Sequence, residues 1–336
     1  MFWTLMLVAC DLAPLTTNTA DTADTADTAD TAAPTPPPQP VGACLSAGGA
    51  LTELWSLDLG APIVGLEAGP GGDALALGED GRLTRVTGAD AAGEDLGAPL
   101  ASGSWLDRTG EALLLLDSTG DGLVGADPDH LGVLDMWATG GDVAVSSDGR
   151  QVASTFVICG ISTQVDDVVA DAPVDWPVGG YSLGLEYTAE GTLLSVEPGS
   201  TALQLVERDT DLSALQTWDL GLPLAWTLPR LATNGDSVAV SSLSETRTDR
   251  VLTRLDLEDG ATWTVTLPET DVFAVAADPD GAWALTTTGA LIYSDGTSVL
   301  EALVDPAAQR LTVAEDGRWL MTGGSDGRVR VYDCGG

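Results

Sequence analysis

The sequence predicts an all-β protein, a seven-bladed β-propeller whose ring is closed by an N-terminal strand joining the last blade. The first observation is a turn that ends in glycine and recurs between pairs of short apolar runs. The seven turn glycines are Gly72, Gly110, Gly149, Gly191, Gly235, Gly281 and Gly317. They are spaced about 41 residues apart on average, which is the length of one four-stranded blade.

The second observation is a strand that has no partner in its own repeat. The seventh repeat contains three alternating apolar segments, at 310–314, 319–322 and 329–332, and the chain ends before a fourth can form. A spare strand-like segment lies ahead of the first repeat, at 51–59. Placing that segment in the seventh blade completes the ring and removes two open sheet edges.

The cysteines are placed consistently with this closure. Cys44 precedes the spare strand and Cys334 follows the third strand of the seventh repeat. Antiparallel pairing brings those two ends together, so we predict a Cys44–Cys334 disulfide, which an exported compartment permits. Cys159 is then left over, and its apolar neighbours predict a buried thiol.

The composition excludes several classes of function. The chain has 51 acidic residues against 13 basic ones, all of them arginine, for a net charge of −38. Such a surface repels phosphate backbones, so nucleic acid is not expected as a partner. The chain has one histidine, His130, which excludes a multi-histidine metal site, and a Ser-His-Asp triad is not expected either. We therefore expect no cofactor, no metal and no catalytic residues.

The amino terminus has the character of a targeting segment. Leu7-Val8-Ala9-Cys10 resembles the bacterial lipobox, although no basic residue precedes the apolar stretch. The resemblance implies that residues 1–9 are a signal peptide and that Cys10 carries the lipid, which holds the protein on a membrane. A buried amino-terminal strand with an incidental cysteine is the alternative interpretation.

A tether follows, over residues 10–43. Its first part repeats Thr-Ala-Asp triplets and its second part is rich in proline. The triplets lack apolar bulk and repel one another, whereas the prolines form a stiff spacer. The predicted domains are thus 1–9, 10–43 and a propeller at 44–336, located in the bacterial cell envelope, either periplasmic or on the outer surface.

The last repeat resembles a known family. The stretch 322–333 is similar to the end of a WD-repeat blade, with a small-residue turn, an alternating strand and an aromatic-Asp pair. The turns at 146–149 and 278–281 are similar to those of WD-like and YVTN-like propellers. This resemblance implies a rigid frame whose loops bind partners.

The candidate sites for chemistry are few. The segment 117–122 begins like a calcium loop, but Pro128 stands where an EF-hand needs glutamate. The group 127–130 is polar and is interpreted as a loop. Asp166 and Asp167 would point to opposite faces of a strand. Tryptophans in the fourth strands are interpreted as packing between blades.

We therefore expect a monomeric, lipid-anchored module that binds a protein or small ligand on a propeller face, without catalysis. The longest predicted loop, around 241–250, is the first place to look for a partner. The alternative is a propeller hydrolase, lactonase-like or glycosidase-like, using carboxylates at the channel mouth. Several carboxylates converging with an arginine would favour the hydrolase.

Overall fold

The structure is a computed structural model of the chain. It describes residues 39–69, 72–87, 92–119, 121–135, 142–157, 161–170, 172–177, 180–224, 229–244, 249–268 and 271–335. Over these ranges there are 28 strands and a single short helix, α1 (Val41–Ser46). Within the same ranges, no helix has the length and apolar character needed to cross a bilayer.

The strands form seven sheets of four antiparallel strands each, as predicted. Blades one and two contain β2 (Ile63–Ala68), β3 (Asp73–Gly78), β4 (Leu83–Thr87), β5 (Gly93–Gly97), β6 (Trp105–Thr109), β7 (Ala112–Leu116), β8 (Asp121–Gly125) and β9 (Gly132–Asp135). Blades three and four contain β10 (Val143–Val145), β11 (Gln151–Val157), β12 (Ile161–Asp167), β13 (Ala172–Val174), β14 (Gly184–Tyr187), β15 (Leu193–Pro198), β16 (Ala202–Arg208) and β17 (Ala214–Pro223).

Blades five and six contain β18 (Arg230–Thr233), β19 (Ser237–Leu243), β20 (Arg250–Asp256), β21 (Thr262–Thr266), β22 (Val272–Asp278), β23 (Gly281–Thr286), β24 (Ala290–Ser294) and β25 (Val299–Val304). Blade seven contains β26 (Ala308–Val313), β27 (Leu320–Gly324), β28 (Arg328–Gly335) and β1 (Ala50–Asp58). In each blade the first strand contacts the first strands of both neighbouring blades, so these seven strands surround the axis of the ring.

The ring closes as the sequence predicts. Strand β1 pairs antiparallel with β28, with Leu51 opposite Cys334 and Asp58 opposite Arg328. Cys44 of α1 forms a disulfide with Cys334, with 6.0 Å between their Cα atoms. Val41 is fully buried and donates its N–H to the carbonyl of Gly317 at 2.7 Å. The helix therefore anchors the start of the described chain onto blade seven.

The recurring glycines all lie at the turn between the first and second strands of a blade. Six of them have positive φ, from 62° at Gly110 to 93° at Gly235, a backbone conformation that disfavours other residues. Gly281 is the exception. A Cβ there would overlap the Ser294 carbonyl oxygen and lie 2.6 Å from the Tyr293 hydroxyl oxygen. Glycine is therefore required at this position because a side chain has no room.

The hydrophobic core lies between adjacent blades. Trp55 packs with Ile63 and Val331, which joins blade seven to blade one. Trp218 is buried in the cluster that joins blades four and five, and Trp263 packs against the cluster of blades five and six. The predicted role of the fourth-strand tryptophans as packing between blades is confirmed at these positions.

Candidate functional site

A cavity of about 650 Å³ lies on the axis of the ring. Its wall is formed largely by the first strands of the blades, which are edge strands with backbone groups facing the axis. Edge strands normally need their free N–H and C=O groups covered. A side chain on this wall can therefore either form hydrogen bonds with the free backbone groups of a neighbouring first strand or face a ligand in the cavity.

Seven carboxyl groups line the cavity: Glu190, Asp236 and Glu315 are exposed in turns, and the other four lie along the wall on blades one to four. We call these four the acidic arc, and its members are Glu67, Asp107, Asp142 and Glu186. Each comes from or directly precedes the first strand of a different blade. Close sequence spacing does not bring them together, because consecutive members are 35 to 44 residues apart.

Two members of the acidic arc cap the next blade. The Val145 N–H donates to Asp107 Oδ2 at 2.7 Å, and the Leu185 N–H donates to Asp142 Oδ2 at 2.9 Å. Burial raises the pKa of Asp107 to about 7 and that of Asp142 to about 6. These two carboxyls connect blades two, three and four by satisfying edge N–H groups.

The other two members of the acidic arc, Glu67 and Glu186, do not cap a neighbouring blade. Glu67 and Glu186 are half-buried and make no hydrogen bond or ion pair within the described part of the chain. Burial raises the pKa of both well above the usual range for glutamate. The negative charges of Asp107 and Asp142 raise both values further, since like charges disfavour ionisation, whereas Arg310 and Arg108 partly offset this effect at Glu67.

Two arginines stand on the remaining wall. We call Arg230 of blade five and Arg310 of blade seven the basic arc, and Phe273 of blade six lies between them in the ring. Arg310 donates from Nε to the Val64 carbonyl at 2.6 Å, which caps blade one. Arg230 has no hydrogen bond to any described residue. Burial, together with the charge of Arg230, lowers the pKa of Arg310.

A third arginine on the wall is structural. The guanidinium of Arg108 is fully buried and lies 3.2 Å from Asp73 Oδ1 and 3.3 Å from Glu111 Oε2. Its Nε also donates to the Gly110 carbonyl at 2.8 Å. These contacts connect blade two to blade one, and they leave the guanidinium satisfied without a ligand.

The polar groups singled out in the sequence lie elsewhere. Asp117 is in the turn after β7, where its carboxylate accepts from the N–H and hydroxyl of Thr119, both at 2.7 Å. His130 is exposed and its Nδ1 lies 2.8 Å from Asp127 Oδ1. Among the described residues no group of three or more histidine, cysteine or acidic side chains is placed to hold a metal ion.

Other predicted positions are partly or wholly outside the described residues. The lipidation candidate Cys10 and the leftover Cys159 both lie outside them. The predicted loop at 241–250 is shorter than expected, because β19 extends to Leu243 and β20 begins at Arg250. Asp166 contacts Gln164 and Asp167 contacts Arg150, as expected for residues on opposite faces of β12.

Sequence reasoning did not identify the acidic arc. Its members have ordinary neighbours in the sequence, and 47 other acidic residues obscure them. One signal was available: Glu67, Asp107 and Glu186 each interrupt the apolar first strand of a repeat, where a buried edge is expected. A charged residue in that position predicts a side chain near the axis of a propeller.

Comparison with known proteins supports the fold. The family model of the WD domain, G-beta repeat, matches residues 309–333, in the last blade. No curated protein matches the chain. Among solved structures, the chain is similar to the Neurospora crassa Pan2 WD40 domain, with 10% identity, a TM-score of 0.54, and coverage of 85% of this chain and 96% of that chain. The chain is thus a seven-bladed β-propeller whose last blade is similar to a WD repeat.

Proposed function

We propose that the chain is a lipid-anchored, extracytoplasmic propeller that binds a protein or ligand at its central cavity and has no catalytic role of its own. The observation that carries the proposal is a pair of half-buried glutamates in this cavity, Glu67 and Glu186, which accept no hydrogen bond from any described residue. Groups that only stabilise a fold are normally paired when they are removed from water. Groups that await a ligand are held on rigid elements and left unpaired.

The frame suits such a role. The acidic and basic arcs lie on first strands that are hydrogen-bonded within their blades and packed against both neighbouring blades. Side chains on such strands are held in place before a partner arrives, which lowers the entropic cost of binding. WD-repeat-like propellers act as interaction scaffolds, which agrees with this use of the channel.

The anchor and the location are supported by separate features. The lipobox-like segment ends at Cys10, and a low-complexity tether follows it. The Cys44–Cys334 disulfide is of the kind that forms and persists in oxidising compartments. Both features agree with a protein exported from the cytoplasm and held on the envelope.

Partner capture tests the binding role. The full chain is used as bait in envelope extracts, alongside Glu186→Gln, Arg230→Ala and the control Arg82→Ala. Arg82 is chosen because its side chain is 56% exposed and lies in a turn of blade one. A partner retained by the wild type and by the control, but lost with both cavity variants, is the expected result. Equal retention by all four baits would refute binding at the cavity.

Membrane fractionation tests the anchor. The wild-type chain is expected in the membrane fraction and labelled by radioactive palmitate, because acyl chains on Cys10 insert into the bilayer. The Cys10→Ser variant is expected to lose the label and to move to the soluble fraction. Recovery of that variant in the membrane fraction would remove the support for a lipid anchor.

One observation favours a second function, an acid-only hydrolase. Carboxyls converge with arginines in one cavity, and the raised pKa of Glu186 is what a general acid requires near neutral pH. Release of nitrophenol from nitrophenyl glycosides or nitrophenyl esters tests this function. Turnover that disappears in Glu186→Gln would support it, and equal rates in the wild type and the variant would exclude it.

A further inference from the structure

Residues 39–49 form a short element that we call the strap, and helix α1 is its centre. The strap packs on blades six and seven. Its Val41 and Leu45 side chains are buried there, in a cluster that contains Tyr293 of blade six and Tyr332 of blade seven. Residues 1–38 continue from the strap along the chain, so whatever holds the strap also fixes the point at which that segment joins the propeller.

The strap has little stability of its own. Helix α1 has only six residues, includes Gly42 and has no side-chain hydrogen bond at its N-cap. Helices shorter than about 12 residues are marginal in water, and glycine lowers helix stability further. Contacts with the ring or the disulfide must therefore hold this helix in place.

The hydrogen bonds that join the strap to blades six and seven are weak restraints. Val41 donates its N–H to the Gly317 carbonyl at 2.7 Å, and Ser46 Oγ donates to Asp295 Oδ2 at 3.1 Å in an exposed position. Such bonds contribute little net stability because water competes for the same groups. The disulfide is covalent, so it is the strongest link between the strap and the ring.

Closure of the ring does not require the strap. Strand β1 begins at Ala50, after the strap has ended, and pairs with β28 as far as Asp58. The contact continues at Leu59, whose N–H donates to the Gly327 carbonyl at 2.8 Å. Trp55 also packs into the core between blades seven and one. The strap and β1 are therefore separate units.

Two glycines connect these units. Gly48 has a φ of 88°, and no atom lies within 4 Å of the position that a Cβ would take. Gly49 follows it, and its backbone lies directly against the sulfur atoms of Cys44 and Cys334. Because glycine tolerates large changes of φ and ψ, the strap can turn about residues 48–49 without moving β1.

The strap covers a polar group of blade six. Asp278 is fully buried, and its Oδ2 accepts a hydrogen bond from Trp283 Nε1 at 3.1 Å. A Cβ on Gly42 of the strap would lie 2.6 Å from the Tyr293 hydroxyl oxygen and 2.7 Å from Asp278 Oδ1. Movement of the strap away from blade six would therefore give water access to the Tyr293 hydroxyl.

We propose that the strap is controlled by redox state: the Cys44–Cys334 disulfide holds it on blades six and seven, and reduction releases it while β1 keeps the ring closed. Cys334 is half-buried and residues 46–48 are exposed, so the disulfide lies close to solvent. Release frees the 11 residues 39–49, which adds up to about 36 Å of extended chain between residues 1–38 and β1.

The reductant is a small dithiol, and the reaction is thiol–disulfide exchange. One thiolate of the dithiol attacks a sulfur of the Cys44–Cys334 bond and forms a mixed disulfide with it, which releases the other cysteine as a thiolate. The second thiolate of the dithiol then displaces the remaining cysteine. The dithiol is oxidised to a disulfide, and both cysteines take up protons and become thiols.

Hydrogen exchange of the full chain, with and without dithiothreitol, tests the proposal. Amides of the strap are hydrogen-bonded in the oxidised protein, as in the bond from the Gly49 N–H to the Cys44 carbonyl at 2.9 Å. Reduction is expected to speed exchange in residues 41–49 about tenfold or more, whereas residues 50–58 and 328–332 should keep their rates. Hydroxyl-radical footprinting should show more modification of Tyr293 after reduction, and Tyr187, which is similarly buried in the cavity wall, should not change.

Two variants separate the disulfide from the other contacts. The Cys44→Ser/Cys334→Ser variant is expected to exchange in residues 41–49 as the reduced wild type does, and dithiothreitol should not change its rates. Ser46→Ala is the control, because it removes the exposed hydrogen bond to Asp295 and keeps the disulfide. It should exchange as the oxidised wild type does.

Two results would overturn the proposal. Unchanged exchange of residues 41–49 after reduction, verified by thiol labelling, would show that packing alone holds the strap. Equal acceleration in the strap and in β1 would show that the disulfide closes the ring and does not act on the strap separately. Neither measurement depends on what the central cavity binds, so failure of the strap and failure of the binding function are distinguished.

Discussion

Replacing Asp107 with asparagine is expected to make the free energy of unfolding less dependent on pH. The wild-type carboxyl is 7% exposed, and burial raises its pKa from 3.8 to about 7. The folded protein therefore binds a proton that the unfolded chain releases between about pH 4 and pH 7. Stability falls as the pH rises wherever the folded state binds more protons, so this carboxyl destabilises the fold progressively up to about pH 7.

The magnitude follows from the interval between the two pKa values. From pH 5 to the folded pKa is about two units, and each unit corresponds to about 1.36 kcal/mol. The wild type is therefore expected to lose about 3 kcal/mol from this group between pH 5 and pH 8. Asparagine retains an oxygen that accepts the Val145 N–H but does not ionise in this range.

Urea unfolding, followed by tryptophan fluorescence at pH 5 and pH 8, measures the effect. At each pH, the unfolding free energy of the wild type is subtracted from that of the variant. This difference should be about 3 kcal/mol more positive at pH 8 than at pH 5. Glu258→Gln, at an exposed position, removes one charge in the same way and should leave this difference near zero. An unchanged difference for Asp107→Asn would refute the reasoning that burial controls this carboxyl.

Two further predictions concern closure and turns. The Cys44→Ser/Cys334→Ser double variant should lose up to about 5 kcal/mol of unfolding free energy, because the disulfide closes a loop with a sequence separation of 290. Dithiothreitol should destabilise the wild type but leave the stability of this variant unchanged. Equal sensitivity of the two proteins to the reductant would contradict the prediction. Gly235→Ala, with φ of 93° and open space around the added Cβ, should cost about 1 kcal/mol. Gly281→Ala should cost about 3 kcal/mol by urea unfolding, since the added Cβ meets the Ser294 carbonyl and the Tyr293 hydroxyl. A cost at Gly281 no larger than that at Gly235 would contradict the lack of space inferred at this turn.

The sequence contained enough information for the fold because the blade is a local unit. Each repeat needs a tight turn between its first two strands, and glycine meets this requirement either through positive φ, as at Gly235, or through lack of a side chain, as at Gly281. The closure was also predictable, because an unpaired sheet edge is unfavourable and β1 was the one strand without a repeat of its own. The Cys44–Cys334 disulfide followed from the same pairing.

The acidic and basic arcs, by contrast, exist only in the closed ring. Glu67 and Glu186 are 119 positions apart in the chain, and what makes them one site is the meeting of first strands from different blades around the axis. Their raised pKa values likewise depend on burial and on the charges of Asp107 and Asp142, which no local pattern encodes. The sequence by itself determined the number of blades, their strands and the closure, because these depend on short-range turns and alternation. Only the tertiary structure decided which charges face one another, because electrostatic coupling depends on distance in space.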